Sequence, residues 1–172
     1  FELQQAANKR LLIVVPITLL LVLGMLYGLF GSLPNVLLIA LNLPLSLIGG
    51  VLALGIAGEN ISIPSSIGFI ALFGIALTDG VVLISRIEGL RKTGMDLRES
   101  VIEGSRSKFR PVIMTTITTA LGLLPLILTT STGAEVQRPL AIVVLGGLIT
   151  STLLTLFVLP SLYSLIHRRS LQ

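Results

Sequence analysis

Gly68-Phe-Ile-Ala-Leu-Phe-Gly-Ile-Ala-Leu-Thr-Asp-Gly-Val-Val-Leu-Ile-Ser85 decides how the rest of the chain is read. It is apolar almost throughout and carries one acid, Asp79. Counted from Ile67, the run is long enough to cross a bilayer as an α-helix rising about 1.5 Å per residue. Asp79 then falls about one turn past the centre, towards the end that meets Arg86. A carboxyl group at that depth costs about 2.5–3.5 kcal/mol on insertion scales. The remainder of the chain must offset that cost or make use of the group.

Composition agrees with a membrane setting. The 172 residues are 53% hydrophobic and 12% charged, about half the charge of an average soluble domain, and the mean hydropathy is +0.99. Without Cys, no disulfide framework, iron–sulfur cluster or thiolate metal site can form. The basic residues make no stripe and no aromatic side chains interleave with them, so nucleic acid is not an expected partner. Starting at Phe1, with no charged region ahead of a small-residue cleavage site, the sequence reads as a piece of a longer polypeptide.

Four further apolar runs flank the opening one, and together they predict an all-α bundle of five transmembrane helices. The expected spans are 11–30, 36–57, 67–85, 111–130 and 139–166. Pro16, Pro44 and Pro125 lie inside spans, where neighbouring helices can re-satisfy the freed carbonyls. Gly49-Gly50, Gly122 and Gly146-Gly147 are expected to let helices approach closely. Between the third and fourth spans the character changes: Arg86 to Arg110 holds seven Lys/Arg and four Asp/Glu. Within it Asp96-Leu-Arg-Glu99 reads as a capping box. The segment 96–109 then forms an amphipathic helix, with Leu97 and Val101 on one face and Ile102 and Phe109 beside it, lying at the cytoplasmic membrane surface. An ordinary solvated connector is the plainer alternative.

Lys and Arg are counted on alternating sides of the five spans. One side, holding 86–110 and the C-terminal tail, carries nine; the other carries three. The richer side is expected to be cytoplasmic, which puts the N-terminus outside and the C-terminus in the cytoplasm.

Asp79 is the sharpest candidate for chemistry. Desolvation disfavours its charged form, and a carboxyl whose proton can come and go in a low-dielectric site suits a proton relay. The competing reading is a permanently neutral Asp that glues helices together. Thr78 either shares the relay or bonds back to its own helix. Thr115 and Thr116, with Thr118 and Thr119, put hydroxyls on the fourth span, where they pass protons or serve as interhelical hydrogen-bonders. Glu135 and Arg138 can pair in the short outer loop. His167 stands alone beside two arginines and is read as a helix-end residue. No metal-binding constellation, cofactor motif or nucleophile–base pair is visible, so the chain reads as the membrane part of a transporter or channel and not as an enzyme.

Several strings then become specific. Ile70-Ala-Leu-Phe-Gly-Ile-Ala-Leu-Thr-Asp-Gly-Val-Val-Leu-Ile84, Glu103-Gly-Ser-Arg-Ser-Lys-Phe-Arg-Pro-Val-Ile-Met-Thr115 and Leu121-Gly-Leu-Leu-Pro125 resemble resistance-nodulation-division efflux pumps. Thr132-Gly-Ala-Glu-Val-Gln-Arg-Pro-Leu-Ala141, Gly146-Gly-Leu-Ile149 and Leu159-Pro160 look like the heavy-metal branch, the cobalt–zinc–cadmium and copper–silver pumps. The resemblance covers essentially the whole chain and matches it to helices eight to twelve of twelve. It implies a homotrimeric pump of the bacterial inner membrane. Heavy-metal cations would leave in exchange for protons, with a periplasmic adaptor and an outer-membrane channel as partners. It also implies that the main proton-carrying acids lie on the fourth helix of the family, outside this chain, facing the helix that carries Asp79. Multidrug members offer Lys and Asn at the positions of Thr78 and Asp79, copper–silver pumps a Glu at Thr78, and cobalt–zinc–cadmium pumps Leu-Asn. Asp79 departs from all three patterns. Multidrug efflux on the same scaffold and a non-transporting membrane scaffold are the alternatives to metal export.

Overall fold

The computed structural model describes residues 2–129 and 133–169, all of them helix or short connection. The helices are α1 (Glu2–Phe30), α2 (Leu33–Ala57), α3 (Ile63–Lys92), α4 (Leu97–Leu128), α5 (Ala134–Leu153) and α6 (Leu159–Arg169). A five-residue π-helical segment, Leu154–Val158, joins α5 to α6 without a break. Five rods are therefore long and apolar enough to cross a membrane, as expected from the sequence.

Each start and stop has a local cause. Gly31 and Gly58 turn the chain with φ of +58° and +69°, a backbone region that penalises a Cβ. Pro34 and Pro64 sit in the first turns of α2 and α3, where a missing N–H costs nothing. Ser62 and Ser65 form a reciprocal cap at the start of α3: Ser65 N–H donates to Ser62 Oγ at 3.4 Å and Ser62 N–H donates to Ser65 Oγ at 2.7 Å. Asp96 precedes α4 as expected, but its side chain makes no cap hydrogen bond. The Ser100 hydroxyl donates to the Asp96 carbonyl at 2.7 Å.

Two helices run further than the apolar pattern suggests. α3 continues past Ser85 to Lys92, and the 96–109 segment is the first half of α4, which carries on through Pro111 into the fourth span. The apolar face of that first half is occupied within the chain. Leu97 and Val101 share a buried cluster with Ile87 of α3, and a Cβ added at Gly104 would lie 3.4 Å from Ile87 Cα. Ile102 and Phe109 are exposed.

The interior is built by α2, α3 and the α5–α6 rod, with α2 against α5 the most extensive pairing. The apolar windows of these three are 44%, 39% and 50% buried, against 6% for α1 and for α4. Glycines make the central crossing. A Cβ on Gly49 would come within 2.9 Å of the Gly146 carbonyl oxygen, and one on Gly146 within 2.9 Å of the Gly49 carbonyl oxygen. Gly68 meets Leu140 O at 3.0 Å on the same reckoning, and Gly147 meets Leu72. This is the small-residue packing by which helices associate in lipid. Gly122, expected to act in the same way, faces open space in this chain.

Candidate functional site

The turn of α3 from Ala76 to Gly80 is gripped on one side only. Ala76 is fully buried, and Gly80 lies close enough to α2 that an added Cβ would sit 3.3 Å from Ile39 Cγ2. Successive helical residues are rotated by about 100°, so Asp79 stands at the margin of the packed face, half-buried, and Thr78 is exposed. Thr78 bonds back to its own helix, its hydroxyl donating to Gly74 O at 2.8 Å. Among the described residues Asp79 has neither a hydrogen-bond partner nor a counter-charge. The offset to its insertion cost is therefore not supplied by the described residues.

The threonines of α4 are not joined to it. The Thr115 hydroxyl is exposed and donates to Pro111 O at 3.0 Å. Thr116 donates to Val112 O at 2.9 Å and lies 2.8 Å from the Thr152 hydroxyl of α5. With one hydrogen on each hydroxyl, Thr152 is then the donor to Thr116. Thr118 bonds back to Met114 O at 2.8 Å. These hydroxyls are satisfied within their own helix or across to α5, without drawing on Asp79.

The polar residue that does reach the Asp79 turn is Asn42, inside the second span. It is buried, and its Nδ2 donates to Ala76 O at 3.2 Å and to Thr155 Oγ1 at 2.9 Å, with Ser151 Oγ at 3.4 Å. Three rods meet at this one amide. Thr155 belongs to the π-helical segment, where Leu159 N–H donates to Leu154 O, five residues back. Pro160 gives that wide turn a cause: in a regular α-helix its ring would collide with the carbonyl four residues earlier.

A second polar group lies about two turns further along the same helices, near the 31–32 turn. Asn35 donates to Glu88 Oε1, and Arg91 Nη1 donates to Tyr163 Oη at 3.4 Å. His167 stacks on Tyr163 with ring centroids 4.1 Å apart, and its Nδ1 lies 3.1 Å from Tyr163 O. The histidine is thus fixed by an aromatic neighbour. At the other surface Arg138 pairs with Glu59 at 3.6 Å, tying the α2–α3 loop to the start of α5. The expected Glu135 partner lies outside the residues whose side chains are described. Among the described residues no three His, Cys, Asp or Glu side chains are grouped as metal ligands.

The sequence matches the AcrB/AcrD/AcrF family over residues 1–167. The chain belongs to that family. Within it the relatives named for metals are near. The cobalt-zinc-cadmium resistance protein CzcA of Cupriavidus metallidurans is 48% identical over 169 residues, which is 98% of this chain and 16% of the relative. The nickel and cobalt resistance protein CnrA of the same organism is 46% identical over the same share of both chains. A crystal structure of a heavy metal efflux pump superposes with a TM-score of 0.88 at 42% identity, covering 98% of this chain and 17% of that one. The chain thus spans about a sixth of the length of the relatives it matches. The resemblance to the heavy-metal branch and the all-helical, multi-pass membrane fold expected from the sequence are both borne out.

Proposed function

We propose that this chain is membrane-embedded machinery of a pump that exports heavy-metal cations in exchange for protons. The observation that carries the reading is Asp79: a half-buried carboxyl inside an apolar span, with no partner among the described residues, in a chain whose relatives are named for metal resistance. An acid so placed is expensive to keep charged and is useful where a proton must be taken up and released. Its complement is to be sought on parts of the pump beyond this chain. Thr78, Thr115 and Thr116, each hydrogen-bonded without Asp79, are candidate auxiliary hydroxyls of the path and not members of one site with it. The assembly we propose is a homotrimer in the inner membrane, acting with a periplasmic adaptor and an outer-membrane channel, its Lys/Arg-rich side in the cytoplasm. It moves ions and makes or breaks no covalent bonds.

The test is Asp79→Asn and Asp79→Ala in the full-length protein, scored by the metal tolerance of a host that lacks its own pump. Both variants are expected to abolish protection at parental expression. Full protection by both removes Asp79 from the proton path.

A further inference from the structure

The Asn42 amide is over-subscribed on one side and empty on the other. Its Nδ2 has two hydrogens and three acceptors within reach: Ala76 O at 3.2 Å, Thr155 Oγ1 at 2.9 Å and Ser151 Oγ at 3.4 Å. Its Oδ1 is buried without a hydrogen-bond partner among the described residues. Turning the amide over would set Oδ1 against the Ala76 carbonyl, acceptor against acceptor, so the main chain of α3 fixes which way it points.

Both ends of that amide's reach are structurally distinctive. Ala76 opens the helical turn that carries Asp79, three residues on. Ser151 and Thr155 stand one turn apart at the point where α5 passes into the π-helical segment. A π turn holds one more residue than the α turn it replaces, and everything beyond it is rotated relative to a regular helix. The donor not given to Ala76 sits between two hydroxyls, one on each side of that change of register.

We propose that Asn42 is a positioning residue for Asp79, fastening the α3 turn that carries the acid to the π-helical segment of the last span. This rests on the reading of Asp79 as a proton carrier. Asn42 itself carries no proton. It sets where the Asp79 turn sits relative to the last span, and a shift of register in the π-helical segment displaces that turn.

The experiment uses the full-length pump in proteoliposomes, with Zn²⁺-dependent proton flux recorded across a pH series for Asn42→Leu, Thr155→Val and the double variant. Thr155→Val keeps shape and removes one acceptor, so it reports even if Asn42→Leu fails to fold. Each single variant is expected to displace the midpoint of the pH profile by about half a unit to one unit, the tenfold or smaller change that one hydrogen bond supports. The shifts should share one direction, and the double variant should move no further than the larger single one. The infrared carboxyl band that disappears in Asp79→Asn should change frequency in Asn42→Leu and in Thr155→Val. Flux lowered evenly at every pH, with midpoint and band unmoved, makes Asn42 a packing residue and overturns the proposal alone. An Asp79→Asn pump with parental flux and profile overturns the relay reading, and the role of Asn42 falls with it.

Discussion

The glycine crossing between α2 and α5 makes a prediction in which one chemical change has opposite effects at two places. A Cβ on Gly146 would lie 2.9 Å from the carbonyl oxygen of Gly49, where ordinary contact begins at 3.4 Å, and would also strike the Ala53 side chain. Neither obstacle can rotate away, since one is backbone and the other is a methyl group on it. The tighter of the two contacts, to Ala53 Cβ, then requires the helices to part by roughly an ångström along a seam packed to interior density. Overpacking of this kind costs about 1–3 kcal/mol, and two rigid contacts place Gly146→Ala near the upper end. Alanine returns about 1 kcal/mol through helix propensity, so the net loss is about 2 kcal/mol. Gly89→Ala, in α3 with nothing within 4 Å of its would-be Cβ, keeps only the gain of about 1 kcal/mol. Unfolding of the purified full-length protein in mixed micelles, titrated with a denaturing detergent, measures both. Gly49→Ala should resemble Gly146→Ala, and the pair should cost less than the sum because both open one seam. A Gly146→Ala protein as stable as its parent would refute the close crossing.

Other perturbations separate roles that the sequence left together. Thr116→Val removes the hydroxyl that bridges to Thr152 and should lower stability by about 0.6 kcal/mol, and at most about 1.7. Thr115→Val removes an exposed, self-satisfied hydroxyl and should leave the same unfolding titration unchanged, so a transport defect in it would assign Thr115 to the proton path. Glu59 and Arg138 face each other at 3.6 Å with both side chains partly exposed. A double-mutant cycle on Glu59→Gln and Arg138→Gln should give a coupling of less than about 1 kcal/mol that shrinks with added salt. Ser62→Ala should cost about 0.5–2 kcal/mol in the unfolding titration by removing the cap of α3.

What could be read in advance depended on whether a feature is written in one segment or in the relation between two. An uncharged apolar run announces itself, so the five spans and their short connections were legible, as was the use of Gly49 and Gly146 as packing surfaces. Helix length was harder. Pro111 looks like a boundary in one dimension, but the packing of Leu97, Val101 and Gly104 on Ile87 carries the helix through it. Asp96 carries the composition of a cap, but its carboxylate accepts no cap hydrogen bond from the first turn of α4. Asp79 could be singled out because a lone acid in an apolar run is conspicuous by itself. Asn42 could not: its meaning lies in a carbonyl 34 residues away and hydroxyls more than 100 residues away. The π-helical turn before Pro160 left no signature in the sequence beyond the proline itself.

The continuity of α4 has a mechanical consequence. Thirty-two residues of unbroken helix make a rod about 48 Å long, against a hydrocarbon core about 30 Å thick. Such a rod is a lever. Gly104 against Ile87 pins its first half to the extension of α3, while Thr116 against Thr152, and Ile127 beside Ile142 and Val143, couple its sparsely buried second half to α5. Pivoting by about 5° about one end would carry the other through about 4 Å. A small rotation where α3 and α4 touch is thereby magnified at the far surface of the bilayer.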